Sequence, residues 1–157
     1  MEGLLNTMDF AMRSRDEAYI IDLCDRALNL VAKRQHKFDF LRGDLPRKGG
    51  KGRKLPVDAF YPEINLAIEY RERQHSESVP FFDKPERLTC SGCGRAEQRA
   101  LYDQRRRDVL LQHGIHLIEL DCHSFSHDGQ KRLRRIKTAD ESIVRQQLSC
   151  FLADFHE

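Results

Sequence analysis

The chain has 157 residues, a formal net charge of +2, 39% hydrophobic and 33% charged residues. These values fit one soluble domain with a modest core, or a core with basic extensions, and argue against a second full domain. No apolar run approaches the roughly 20 residues of a membrane span, and the N-terminus lacks the basic-then-apolar layout of a signal peptide, so a cytoplasmic location is expected.

The first predicted element is a helix from about Arg15 to Val31, with Ser14 and Glu17 spaced as a capping box and a stripe of Ile20, Ile21, Leu23, Ala27, Leu28, Leu30 and Val31. Asp22 and Asp25 are expected to face solvent. A strand over Gln35 to Leu41 follows, in which Phe38 and Phe40 alternate with charged residues, and it stops at Gly43. The stretch from Gly49 to Gly52 leads into a strand and does not open a helix, so it is no P-loop; a mobile, phosphate-contacting loop is expected instead.

Leu55 to Tyr61 and Asn65 to Tyr70 form a predicted hairpin turning at Pro62. A turn centred on Pro62 and Glu63 sets Asp58 opposite Ala67 and Pro56 opposite Glu69, making Asp58 and Glu69 diagonal neighbours on one face. Two carboxylates that close repel each other unless a cation or proton separates them. They either ligate a hard cation or are solvated on an exposed face.

Residues from about Ser76 to Arg95 hold Pro80, Pro85 and the Cys90-Ser-Gly-Cys93 element, and are expected to be a long irregular insertion. Glu97 to His113 reads as a helix closed by Gly114, Ile115 to Leu120 as a buried strand, and Asp121 to Lys137 as a polar loop. Thr138 and Glu141 have capping-box spacing for a last helix reaching about Phe155.

Five cysteines, an odd number without a secretory context, indicate reduced thiols. Cys24 and Cys150 are expected to be small buried hydrophobes. Basic residues gather in three places: Arg47, Lys48, Lys51, Arg53 and Lys54; Arg105, Arg106 and Arg107; and Lys131, Arg132, Arg134, Arg135 and Lys137. Each group is either a solvated face or a phosphate-contacting one, and three of them around a carboxylate site favour a nucleic acid. Arg106 shares a helical stripe with Tyr102, Val109 and Leu110, so it either snorkels past the core or reaches a phosphate or carboxylate, with Asp103 placed to orient it.

The order helix, three strands, helix, strand, helix is that of an α/β protein with a restriction-endonuclease-like αβββαβ core. Ile68-Glu69-Tyr70-Arg71-Glu72-Arg73-Gln74-His75, followed by Asp103, Arg106, Leu110 and Gly114, resembles the PD-(D/E)-x-K nuclease superfamily. Within it the chain is similar to the small nucleases related to very-short-patch-repair endonucleases, over roughly Glu17 to Cys122.

The resemblance implies a DNA endonuclease in a single nuclease domain, with Mg²⁺ or Mn²⁺ held by Asp58, Glu69 and Glu17. Glu17 has the capping box as a competing role. Arg71 stands where the superfamily has lysine, and an arginine does not lose its proton near neutral pH. The resemblance therefore shifts water positioning or leaving-group chemistry to Gln74 and His75, although an imidazole just after a strand is also an ordinary surface group. Lys51, Arg53, Lys54, Arg105 and Arg106 are the expected phosphate contacts. Cys90 and Cys93 have zinc-ligand spacing, and the resemblance adds Cys122 to a structural Zn²⁺ site. Cleavage of both strands calls for a homodimer. The alternatives are a non-catalytic nucleic-acid-binding module that keeps the fold, or a nuclease directed at RNA.

Overall fold

The computed structural model describes residues 2–72 and 89–152, with side chains from residue 15 onward. Its elements are α1 (Glu2–Leu28), β1 (Lys33–Arg42), β2 (Lys54–Tyr61), β3 (Leu66–Arg71), α2 (Arg95–Gln112), β4 (His116–Asp121), α3 (Lys137–Gln147) and α4 (Ser149–Leu152). The protein is thus α/β, with a four-stranded mixed sheet in the order β1-β2-β3-β4. Among the described residues no helix is long and apolar enough to cross a membrane.

The chain divides into two compact units. The first takes in the described residues up to Ala32, Tyr70–Glu72 and those from Ile118 onward; the second takes in Lys33–Glu69 and the described residues from 89 to Leu117.

In the first unit, α1 extends well before the predicted start, so Ser14 and Glu17 lie inside a helix and there is no N-terminus at that point for a capping box to close. Ile20, Ile21, Leu23, Cys24 and Leu28 are buried at helical spacing, whereas Val31 is exposed. The reason is the helix end: Asn29 adopts φ 52 and the Leu30 N–H reaches back to the Asp25 carbonyl at 3.1 Å, which turns the chain before Val31. Asp22 is exposed as expected; Asp25 is half-buried and accepts the Ala32 N–H at 3.1 Å. The last helix breaks at Leu148, and Thr138 sits inside α3. Its opening turn is held instead by Asp140, whose Oδ2 accepts the Ile136 N–H at 3.0 Å and the Tyr19 hydroxyl at 2.6 Å. Cys150 is exposed, against expectation, because it lies beyond that break. Residues 153–155 of the predicted helix lie outside the described residues.

In the second unit Phe38, Leu41, Leu55, Val57, Phe60, Ala67, Leu110 and Ile115 form the core, with Tyr102, Val109 and Leu117 against it. Each fully buried side chain of this size contributes about 1.5–3 kcal/mol. The helix α2 stops where predicted: Gly114 takes φ 70, and the Ile115 N–H bonds the Leu110 carbonyl at 2.9 Å. Strands β1 and β2 pair antiparallel, with an irregularity between Lys37 and Arg42.

The hairpin register differs from the predicted one. β2 and β3 pair as Ala59↔Ile68, Phe60↔Ala67 and Tyr61↔Leu66, so Asp58 and Glu69 follow as directly opposed residues, not diagonal ones. The cause is the turn. Pro62–Ile64 form a 3-10 turn and Asn65 adds a left-handed residue at φ 48, and this longer loop slides the partner strand by two positions. A slip of two preserves the shared face, whereas a slip of one would have put the two carboxylates on opposite sides.

Candidate active site

The second unit contains a polar row built on three strands and a helix. On β1, Gln35 Nε2 donates to Asp58 Oδ1 at 3.2 Å. Asp58 on β2 faces Glu69 on β3 by the register. From α2, Arg106 lies 3.6 Å from Glu69 Oε1 through Nε and 3.2 Å from Asp103 Oδ1 through Nη1. The Arg106 Nε–H is bonded to the Pro56 carbonyl at 3.1 Å. Asp103 therefore does orient Arg106, and the arginine reaches past the core to a carboxylate.

Glu69 is the unusual member. Its Oε1 is buried and accepts no hydrogen bond, a condition that is costly for a carboxylate. Its carboxyl is pushed well above the ordinary glutamate range, first by burial and then by repulsion from Asp58, with a smaller push from Asp103. Arg106 and the Asp58 backbone N–H oppose this. A buried, partly orphaned carboxylate opposite a second carboxylate fits a hard divalent cation, which oxygen donors prefer and which would relieve both the desolvation and the repulsion.

Glu17, half-buried on α1, belongs to the first unit, as does Arg71. Arg71 Nη1 lies 3.6 Å from Glu119 Oε1, each side chain about a quarter exposed. Gln74 and His75 lie outside the described residues.

The expected phosphate contacts divide into two kinds. Lys51 and Arg53 are exposed. Lys54 is paired with Asp39, whose carboxyl it holds below the usual range. Arg105 is taken up by Asp44 at 2.7 Å and by the Arg42 carbonyl at 3.1 Å. The base of the glycine-rich loop is tied on both sides: the Gly43 N–H bonds the Arg53 carbonyl at 2.8 Å and Arg42 Nη1 bonds the Gly52 carbonyl at 2.8 Å. A Cβ at Gly52 would run into the Gly43 carbonyl oxygen, so this close approach requires glycine.

Cys90 and Cys93 sit in a turn before α2, where the Thr89 N–H and hydroxyl both bond the Cys93 carbonyl, at 2.8 and 2.7 Å. Cys90 is exposed, with its Sγ 3.6 Å from Gln98 Nε2 and 3.9 Å from the Tyr102 hydroxyl. Cys122 belongs to the first unit. There Asp121, Cys122 and His123 bring their ligand atoms within 4.8 Å of one another. His123 Nδ1 lies 2.8 Å from Asp121 Oδ1 and 3.6 Å from Cys122 Sγ. Backbone and side-chain hydrogen bonds from His123 hold the Asp121 carboxyl below its usual range, against the opposing pull of burial.

Gln35 was not expected in this row, because its place depends on the β1–β2 ladder and no local motif marks it. Compared with protein-family models, with curated proteins and with solved structures, the chain matched none.

Proposed function

We propose that the protein is a divalent-metal-dependent endonuclease acting on DNA, with a restriction-endonuclease-like core of the PD-(D/E)-x-K kind. The observation that carries this reading is the opposed pair of Asp58 and Glu69, whose Oε1 is buried and lacks a hydrogen bond. These two carboxylates would hold Mg²⁺ or Mn²⁺. When bound, such an ion lowers the pKa of a coordinated water and neutralises charge developing on a phosphate.

The chain's own residues do the rest. Glu69 must be ionised to bind a cation, and Arg106 favours that form by standing beside it. Asp103 keeps Arg106 on Glu69. Lys51 and Arg53, exposed at the end of an anchored loop, attract and contact a phosphate backbone. Gln74 and His75 are the proposed source of proton transfer, because Arg71 remains protonated.

A second reading, a nucleic-acid-binding module without cleavage, is favoured by Arg71, which pairs with Glu119 in the position where the superfamily has its lysine. Incubation of the purified protein with plasmid DNA, and in parallel with RNA, under Mg²⁺ or Mn²⁺ separates the readings. Cleavage of DNA that disappears in Asp58→Ala and Glu69→Ala supports the endonuclease; binding without cleavage under every condition supports the module; cleavage of RNA alone changes the substrate.

A further inference from the structure

Gln35 lies inside β1 at φ 48, in the left-handed backbone region. Asn29, Asn65 and Lys131 share that region, but all three sit where the chain turns, and asparagine tolerates it besides. Gln35 has neither excuse: the ladder is intact on either side of it, as Arg34↔Ala59 and His36↔Val57. Its side chain is exposed, so apolar burial does not account for the strained backbone. Strain of this sort persists where its surroundings over-determine it, and it gathers at functional sites.

The flanking pairs set Gln35 across from Asp58, and its side-chain Nε2 donates to Asp58 Oδ1 at 3.2 Å. We infer that Gln35 is a positioning residue that aims the Asp58 carboxylate at a divalent cation, an inference that rests on the metal-binding reading of Asp58 and Glu69. A donor held on one oxygen restricts rotation of the carboxylate about its Cβ–Cγ bond. An amide does this without a positive charge that would compete with the cation, as a lysine or arginine there would.

The test uses the full-length protein in three forms: the parent, Gln35→Gly and Asp58→Asn. Mn²⁺ affinity is measured by calorimetry, and Tm is measured in metal-free buffer. Glycine relieves the strain and removes the amide, so Gln35→Gly is expected to raise Tm by about 2–4 °C and to weaken Mn²⁺ binding by about tenfold or more. Unchanged Mn²⁺ affinity in Gln35→Gly alongside lost affinity in Asp58→Asn overturns the positioning role alone. Unchanged affinity in Asp58→Asn overturns the metal site and the positioning role together.

Discussion

Arg106 Nε stands 3.6 Å from Glu69 Oε1 yet gives its hydrogen to the Pro56 carbonyl, so the buried carboxylate oxygen has a cation beside it and no hydrogen bond. The pair is an incomplete neutralisation. It leaves Glu69 with an acidity still dominated by burial and by Asp58.

Stability should therefore depend on pH through Glu69. Its folded value is raised above the ordinary 4.5, so the folded protein holds a proton that the unfolded chain has released. The contribution of the protonated form is fully present below about pH 4.5 and is lost as pH rises through the folded value. Glu69→Gln is neutral throughout and should flatten this slope. In metal-free urea unfolding the variant should match the parent at pH 4 and exceed its stability at pH 7; lower stability at pH 7 would mean that attraction to Arg106 outweighs burial.

Removing Arg106 leaves two carboxylates without their cation. Arg106, Glu69 and Asp103 side chains are 14–17% exposed, so solvent softens the loss relative to the ~3–5 kcal/mol of a fully buried broken pair, and about 2–3 kcal/mol is expected for Arg106→Ala. A double-mutant cycle with Glu69→Gln should recover part of this, because the second substitution removes the abandoned charge.

Under the proposed function, Asp58→Asn and Glu69→Gln should each reduce Mg²⁺-dependent DNA cleavage by more than about 100-fold while leaving the circular-dichroism spectrum unchanged. Single-turnover assays over a Mg²⁺ titration check this. Recovery of full rate at high Mg²⁺ would show that the pair tunes affinity and is dispensable for the reaction.

Lys51 and Arg53 should act through charge alone. Replacing each by alanine should weaken DNA binding at all sequences and reduce the slope of log K against log salt by about 1 per residue. Lys54→Ala should change the slope less, because Lys54 is paired with Asp39. Fluorescence anisotropy at several salt concentrations reads both effects.

Gly52→Ala should destabilise the protein by about 1–3 kcal/mol, since the added methyl meets the backbone oxygen of Gly43, which cannot swing away as a side chain can. Chemical unfolding measures it. An unchanged midpoint would show that the loop gives way freely.

How much of this was legible beforehand varies residue by residue. The turn at Gly114, the burial of Ile20, Ile21 and Cys24, and the sharing of one face by Asp58 and Glu69 follow from period and from local backbone preference, and these are properties of short segments. The true start of α1 was hidden because Ser14 and Glu17 carry a capping signal that a continuing helix overrides. The hairpin register was hidden in the turn, where Asn65 adopts a left-handed conformation that lengthens the loop.

Chain order and alternation by themselves determined that this is an α/β protein with two carboxylates on one hairpin face, since side-chain direction along a strand repeats every two residues. Only the tertiary structure decided that Asp58 and Glu69 oppose each other, that Glu69 Oε1 is buried without a hydrogen bond, and that Gln35 and Arg106 reach them from β1 and α2. These facts depend on contacts between separate elements, such as Gln35 on β1 with Asp58 on β2, and on the burial that packing creates, neither of which is encoded in any local stretch of chain.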